Sequence, residues 1–249
     1  MKNKILAIAL LASLTACMDS APGSDDHGVE TTDRIILNSL LPSQIQNTTL
    51  GNAPLTAKAV NPYAQTTDGQ QYLTYLIGCA LASNQSITVT VGLAKNVVIP
   101  GVMGLTSAWT TRALTAQERQ YVSACVMSRT NYFGDPISIS DRGNWNGLQL
   151  TQQEYNQYGV EEGVFFGDIL NGSANAYMHA CIGVDQAIDD TQSDLPYRKC
   201  ATGTSYCNFA NQGNCADVCS GRDGGNSWTS CGSTHDANGV MVYLNGQPD

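Results

Sequence analysis

Three stretches of the chain begin with residues that can cap the start of a helix. Residues 66–68 (Thr-Thr-Asp) offer N-cap side chains, and apolar side chains recur every three to four positions over residues 72–81. Residues 115–118 (Thr-Ala-Gln-Glu) and 151–154 (Thr-Gln-Gln-Glu) are capping boxes. The sequence therefore predicts one helix after each of these starts.

Short segments between and after these helices alternate apolar and polar residues, which is the pattern of half-buried strands. Asn238-Gly239 suits a type I′ hairpin turn before the last of them. The two carboxylates at 161–162 are predicted to be solvated residues that precede a strand. Helices mixed with strands indicate an α+β fold in a single domain. The predicted strands cover residues 87–91, 97–99, 137–140, 164–170, 177–182 and 240–244.

Residues 35–60 show a different regularity, with one apolar residue every five positions from Ile35 to Val60. A period of five fits neither a helix nor a strand. It loosely resembles the pentapeptide-repeat β-helix, but six pentads are too few for such a coil to be stable alone. The favoured alternative is an apolar-punctuated linker, or a helix over Ile35–Leu41, that docks on the main domain.

The N-terminus has the three parts of an export signal. Lys2 and Lys4 precede an apolar run from Ile5 to Leu14, which is too short to span a bilayer. Residues 14–17 (Leu-Thr-Ala-Cys) resemble the bacterial lipobox. That resemblance implies cleavage before Cys17, palmitate-type acyl chains on that cysteine, and an outer-membrane destination because Met18, not aspartate, follows it.

Composition divides the remaining chain into a tether and a domain. We expect a signal peptide at 1–16, an acidic disordered tether at 17–33, the five-residue-period segment at 34–60 and a disulfide-rich globular domain at 61–249. The formal charge of −9 argues against nucleic-acid binding. The predicted membrane partner is therefore reached through the lipid on Cys17.

Nine cysteines are present, and eight remain once Cys17 is assigned to lipid. An even number in an exported protein predicts disulfides. Zinc is the alternative, because Cys215 and Cys219 have ligand-like spacing, but export argues against it. Cys79 and Cys125 fall in two predicted helices, and we expect them to pair. The full set is Cys79, Cys125, Cys181, Cys200, Cys207, Cys215, Cys219 and Cys231.

The tract at 35–60 and four short segments together resemble a group of exported bacterial lipoproteins without a characterised activity. The segments are 75–81 (YLIGCAL), 121–125 (YVSAC), 129–131 (RTN) and 162–167 (EGVFFG). The resemblance extends over most of residues 35–200. It implies an exported lipoprotein and no particular reaction.

Catalytic signatures are weak. Gly-x-Ser-x-Gly and Ser-x-x-Lys do not occur, and the three histidines are too far apart in sequence for a His-x-x-x-His helix. The best constellation places His179 with the carboxylates Glu161, Glu162 and Asp168, as an envelope hydrolase could use. The competing interpretation is that these are ordinary surface or structural residues, and it is favoured.

Loop aromatics offer a binding hypothesis. Trp145 and Trp228 lie in Gly/Asn-rich loops, where they either form a sugar-stacking platform or cover small loop cores; the second is favoured. Arg129 and Arg142 are expected to bond nearby carbonyls and carboxylates. Further candidates are Trp109, Tyr155, Tyr158 and Tyr206 for the platform, and Asp217, Asp223 and Asp236 for a calcium loop.

These observations predict a non-enzymatic, lipid-anchored envelope protein that binds a glycan or an envelope protein and needs no cofactor. The alternatives are the hydrolase just described and a purely structural lipoprotein.

Overall fold

The fold is known from a computed structural model, which shows an α+β protein with disulfides in its cysteine-rich C-terminal part. Within the described ranges no helix is long and apolar enough to cross a membrane. The structure describes residues 35–38, 40–93, 95–131, 137–172, 178–184, 209–222, 227–232 and 237–246.

All three predicted helices are confirmed, and each starts at its predicted cap. Thr66 Oγ1 accepts a hydrogen bond from the Gly69 amide at 3.1 Å. Thr115 and Thr151 each form a complete capping box with the glutamate three residues on. The helices are α1 (Ala57–Val60), α2 (Thr67–Ala80), α3 (Ala116–Ser128), α4 (Gln152–Gln157) and α5 (Cys215–Val218).

Six strands form the central sheet, in the order β1-β4-β10-β5-β6-β7. All neighbours are antiparallel except β6 and β7, which are parallel. Two further hairpins, β2–β3 and β8–β9, stand apart from it. The strands are β1 (Ile35–Asn38), β2 (Ser86–Val91), β3 (Lys95–Pro100), β4 (Ile137–Arg142), β5 (Val160–Gly167), β6 (Met178–Ile182), β7 (Phe209–Asn214), β8 (Cys219–Arg222), β9 (Trp228–Cys231) and β10 (Gly239–Leu244).

Alternation along the strands divides the sheet into two faces. We call helical face the side that carries Phe165, Val240 and Val242, which pack into the large core with α2 and α3. We call cysteine-rich face the opposite side, which carries Phe166, Cys181, Met241 and Tyr243. The second core is smaller, and α5, β8 and β9 contribute cysteines to it.

The helical face is built in layers. Helix α3 lies on β5 and β10, α2 packs on α3, and the hairpin β2–β3 packs on α2. The predicted disulfide between Cys79 and Cys125 is confirmed, with the two Cα atoms 6.0 Å apart. It joins α2 to α3 inside the large core.

Residues 35–60 are part of this architecture. The alternative of a helix over Ile35–Leu41 is wrong, because Ile35–Asn38 is strand β1, paired with β4 at the sheet edge. No β-helix coil forms over 40–60, where single helical turns alternate with extended chain. The periodic residues Leu40, Leu50, Leu55 and Val60 are buried in the large core, and Ile45 packs against it.

Two predictions around the central strands are corrected. Asn238-Gly239 is not a hairpin turn, because Gly239 already pairs with Phe166 and β10 lies between β4 and β5. Strand β5 begins at Val160, four residues before its predicted start, so Glu161 and Glu162 lie inside it.

Candidate functional site

The sequence predicted that Glu161 is solvated, and this prediction is wrong. Glu161 is buried, with 2 % of its surface exposed. Its carboxylate accepts hydrogen bonds from Arg222 Nη2 at 2.5 Å and from Trp228 Nε1 at 3.3 Å. The amide of Val184 donates to it as well, at 3.3 Å. Glu161 thereby fastens the hairpin β8–β9 to the cysteine-rich face.

Glu162 is also buried, with no exposed surface. Along β10 the register passes from the pair Val242–Gly163 to the pair Tyr243–Glu161 and skips Glu162, which makes Glu162 the extra residue of a β-bulge. Its carbonyl accepts a hydrogen bond from Gly183 of the strand end next to it, at 2.9 Å.

Asp168 lies just beyond β5 and belongs to the helical side. Its carboxylate pairs with Arg119 Nε of α3 at 3.0 Å and accepts bonds from the Leu170 amide and the Asn171 side chain. These contacts tie the end of β5 to α3.

His179 lies on the cysteine-rich face, half-buried, with its ring edge-on to Phe166 at a centroid distance of 5.3 Å. Desolvation by this burial lowers the pKa of the imidazole. His179 stands opposite Phe166 in the register, five residues along β5 from Glu161. At about 3.3 Å per residue the two are separated by roughly 15 Å.

The four residues of the hydrolase hypothesis therefore do not meet at one point. General acid–base chemistry needs groups within hydrogen-bonding reach of a shared substrate atom. Asp168 is bonded to α3, Glu161 is bonded to β8–β9, and His179 lies farther along the sheet. The positions of these side chains therefore do not support the hydrolase hypothesis.

The tryptophans of the platform hypothesis are half-buried and bonded in different parts of the molecule. Trp145 stacks on Tyr121 at 4.6 Å and donates its Nε1 hydrogen to the Leu105 carbonyl at 2.7 Å. Trp228 bonds Glu161 and lies beneath the Arg222 guanidinium, 4.5 Å from the ring centroid. Both cover cores, one on each face of the sheet.

The remaining aromatic candidates differ in exposure. Trp109 has no exposed surface and donates its Nε1 hydrogen to the Ala53 carbonyl at 3.0 Å, and Tyr158 is 1 % exposed. Tyr155 is 57 % exposed on α4. Among the candidates that the structure describes, only Tyr155 is largely exposed, so these five side chains form no common stacking surface.

The arginines expected to be structural are structural. Arg129 and Asp141 form a completely buried ion pair, with Nη2 and Oδ2 2.8 Å apart. Arg142 lies on the cysteine-rich face over the Tyr243 ring at 3.6 Å and donates to the carbonyls of Glu154 and Tyr158. It therefore holds α4 against the sheet.

Cysteines 215 and 219 take part in two separate disulfides, Cys181–Cys215 and Cys219–Cys231. Asp217 of the calcium hypothesis is exposed on α5. Other candidates lie outside the described residues: Cys17, His27, Cys200, Cys207, Tyr206, Asp223, His235 and Asp236.

A groove bordered by amide groups opens beside α4. It is about 730 Å³ in volume and is lined by Gln153, Asn156, Gln157, Asn245 and Gly246, which we call the amide groove. The first three residues recur at helical spacing on one side of α4. Gly246 donates its amide hydrogen to the Gln157 carbonyl at 3.3 Å, so the chain after β10 forms the other wall.

The amide groove rests on a buried polar floor. Glu154 has no exposed surface, and its carboxylate accepts bonds from Ser140 Oγ and from the Thr151 hydroxyl. Arg142 Nη2 donates to the Tyr158 carbonyl at 2.5 Å. These bonds fix the backbone of α4, which carries the three amide side chains, relative to β4.

Sequence reasoning missed this groove, although part of its signal was present. The capping box at 151–154 predicts the helix, and the amides at 153, 156 and 157 then share one side. Asn245 has no sequence relation to α4, because it reaches the groove only through the central position of β10.

No protein-family model matches this chain, and neither a curated protein nor a solved structure shows significant similarity to it.

Proposed function

We propose that this protein is an exported, lipid-anchored protein of the bacterial cell envelope that binds an uncharged glycan in the amide groove. The anchor is the lipid expected on Cys17, and the acidic residues 18–33 serve as a tether between membrane and domain. The observation that carries the binding role is the composition of the groove, whose five lining residues are all uncharged.

Amide side chains match the hydrogen-bonding pattern of sugars. Each Asn or Gln offers two donor hydrogens and an accepting oxygen, so it can bond hydroxyl groups in either direction. A phosphate or carboxylate ligand would call for arginine or lysine, and a cation for carboxylates. The lining of the amide groove contains neither kind of side chain.

The dimensions of the amide groove also suit a ligand. Its volume of about 730 Å³ falls within the range of small-molecule sites. Gln153 and Gln157 are exposed at its rim, so a ligand can reach them without a change in the fold. The buried hydrogen bonds beneath α4 hold its backbone in place, so binding requires no ordering of this helix.

Calorimetric titration with neutral envelope oligosaccharides tests the binding role on the purified lipidated protein. The double substitution Gln153→Ala/Gln157→Ala removes two amides from the rim. We expect it to weaken binding about 5- to 150-fold, since two hydrogen bonds to a neutral ligand contribute about 1–3 kcal/mol together.

Asn84→Ala is the matched control, because Asn84 is an exposed amide in the turn between α2 and β2. It should bind as the unmodified protein does. The proposal fails if no neutral oligosaccharide binds, or if the double variant and the control bind equally well.

The anchor is tested separately by Cys17→Ser. This substitution removes the thiol that accepts lipid. We therefore expect the variant to lose metabolic palmitate labelling and to be absent from the membrane fraction. A variant that remains labelled at the membrane would contradict lipidation at Cys17 and leave the glycan test unaffected.

A further inference from the structure

Four buried sulfur atoms meet on the cysteine-rich face, and we call them the sulfur cluster: Cys181, Cys215, Cys219 and Cys231. They form two disulfides that touch each other, because Cys181 Sγ and Cys219 Sγ are 3.6 Å apart. The Sγ atoms of Cys181, Cys215 and Cys219 all lie within 4.8 Å of one another.

The fold brings these sulfurs together from three elements. Cys181 lies in β6 and points to the cysteine-rich face, Cys215 is the first residue of the single turn of α5, and Cys219 directly follows that turn. Cys219 and Cys231 stand opposite each other in the β8–β9 register. One disulfide therefore ties the sheet to the start of α5, and the other closes the hairpin on itself.

We propose that the sulfur cluster is a thiol–disulfide exchange centre, in which reduction of the Cys219–Cys231 bond is passed to the Cys181–Cys215 bond. An external dithiol supplies two electrons and two protons to the first bond and becomes a disulfide. Cys219 is the point of entry, with 5 % of its surface exposed, whereas the other three cysteines have none.

The second step needs no further oxidant or reductant. The thiolate of Cys219 attacks Cys181 Sγ, a new Cys181–Cys219 bond forms, and the Cys181–Cys215 bond breaks. Cys215 leaves as a thiolate and takes up the proton that Cys219 gave up. The sulfurs have to close from 3.6 Å to bonding distance, a shift on the order of 1.5 Å.

Exchange changes what is attached to the sheet. Before it, β6 is bonded to the start of α5; after it, β6 is bonded to the start of β8, and Cys215 and Cys231 are thiols. The hairpin β8–β9 thereby gains a covalent bond to the sheet in place of its own internal one. Reduction therefore replaces the Cys181–Cys215 bond with a Cys181–Cys219 bond on this face.

Two single variants separate exchange from simple loss of a disulfide. Cys231→Ser leaves Cys219 as a thiol in contact with Cys181. Cys219→Ser removes the same disulfide but leaves Cys231, which does not belong to the group of three close sulfurs. Each variant of the full chain is incubated at pH 8, quenched with acid, alkylated and mapped by mass spectrometry.

For Cys231→Ser we expect a peptide linked through Cys181 and Cys219, with Cys215 alkylated, in on the order of a tenth or more of the molecules. For Cys219→Ser we expect Cys181–Cys215 to stay intact. The proposal is overturned if Cys231→Ser shows only Cys181–Cys215 with alkylated Cys219, or if both variants exchange equally.

Unmodified protein gives an independent measurement that requires no substitution. Limiting dithiothreitol, followed by rapid alkylation, should trap a species with alkylated Cys215 and Cys231 and a Cys181–Cys219 bond. A two-thiol species that carries alkylation at Cys219 and Cys231, with Cys181–Cys215 preserved, would instead show that the two bonds react separately.

Discussion

On the helical face, α2 and α3 cover the sheet with a continuous set of leucine, valine and aromatic side chains, and one disulfide lies within it. On the cysteine-rich face, α5, β8 and β9 are four residues each, and two touching disulfides stand at the centre of a small core. Short elements bury little apolar area. Because α5, β8 and β9 bury little apolar area, disulfides and buried polar contacts hold them on the sheet.

The charged residues of the two faces follow the same division. On the helical face the Arg129–Asp141 ion pair is completely buried, and the Arg119–Asp168 and Arg112–Glu118 pairs occupy more exposed positions. On the cysteine-rich face Glu154 and Arg142 hold α4, and Glu161 holds β8–β9 through Arg222. The polar contacts of the second face therefore attach short elements to the sheet.

The largest expected effect is on the helical face. Asp141→Ala leaves the Arg129 guanidinium buried with its counter-ion removed, and desolvation already lowers the pKa of that arginine. We expect a loss of about 3–5 kcal/mol in the free energy of unfolding, measured with guanidinium chloride.

The matched variant replaces both charges, Arg129→Met with Asp141→Leu. Because two apolar side chains of similar size carry no uncompensated charge, it should recover most of the loss. If the double variant is as unstable as Asp141→Ala, the damage comes from the altered packing and not from the stranded charge.

Removing one crosslink from each face gives the second comparison. The pairs Cys79–Cys125 and Cys181–Cys215 close loops of 46 and 34 residues. Loop entropy alone assigns them nearly equal contributions, each about 4 kcal/mol at most. We expect similar losses of stability for Cys79→Ala/Cys125→Ala and Cys181→Ala/Cys215→Ala.

The two pairs should nevertheless differ in where amide hydrogen exchange accelerates. In Cys181→Ala/Cys215→Ala the increase should concentrate in α5 and β8–β9, because these elements have little packing of their own. Without the Cys79–Cys125 bond, the other disulfides should still form, and α2 and α3 should stay protected. If amide hydrogen exchange accelerates equally in the elements of both faces, the cysteine-rich face does not depend on its disulfide more than the helical face does.

A smaller effect is expected for Glu161→Gln. The substitution removes the charge that binds Arg222, whose side chain is 33 % exposed and can be solvated afterwards. We expect a loss of about 1–2 kcal/mol, measured by urea unfolding. Proteolysis within β8–β9 should accelerate; unchanged proteolysis would show that the disulfide alone holds the hairpin.

The smallest effect is a pH dependence on the helical face. The hydrogen bond from Arg112 lowers the pKa of Glu118 from 4.5 to about 2. A carboxylate with a depressed pKa stabilises the fold above its unfolded pKa, and that stabilisation is lost as pH falls from about 4.5 to about 2. Glu118→Gln should flatten thermal stability across this window. If the thermal stability of the variant still falls as steeply between pH 4.5 and 2, other carboxylates cause the pH dependence.

Sequence reasoning succeeded where the physics is local. Capping boxes set the starts of α3 and α4, since their hydrogen bonds span three residues. The Cys79–Cys125 pairing was predicted because both cysteines fall inside predicted helices, and it is confirmed. The fold class followed from the mixture of helical and alternating patterns.

Sequence reasoning failed where the structure depends on contacts between residues that are far apart in sequence. Glu161 and Glu162 look like surface residues, because nothing nearby reveals that Arg222 will neutralise one of them or that a bulge will bury the other. Asn238-Gly239 has the composition of a hairpin turn, yet β10 pairs with β4 and β5. The amide groove needs Asn245 beside α4, which depends on the same strand order.

The position of β10 also has a kinetic consequence. This strand lies between β4 and β5, so the sheet has a gap at its middle until residues 239–244 have been supplied. Contacts of such high sequence separation form late, and a chain that depends on them folds slowly. A chain synthesised from its N-terminus therefore cannot complete this sheet until residues 239–244 have been added.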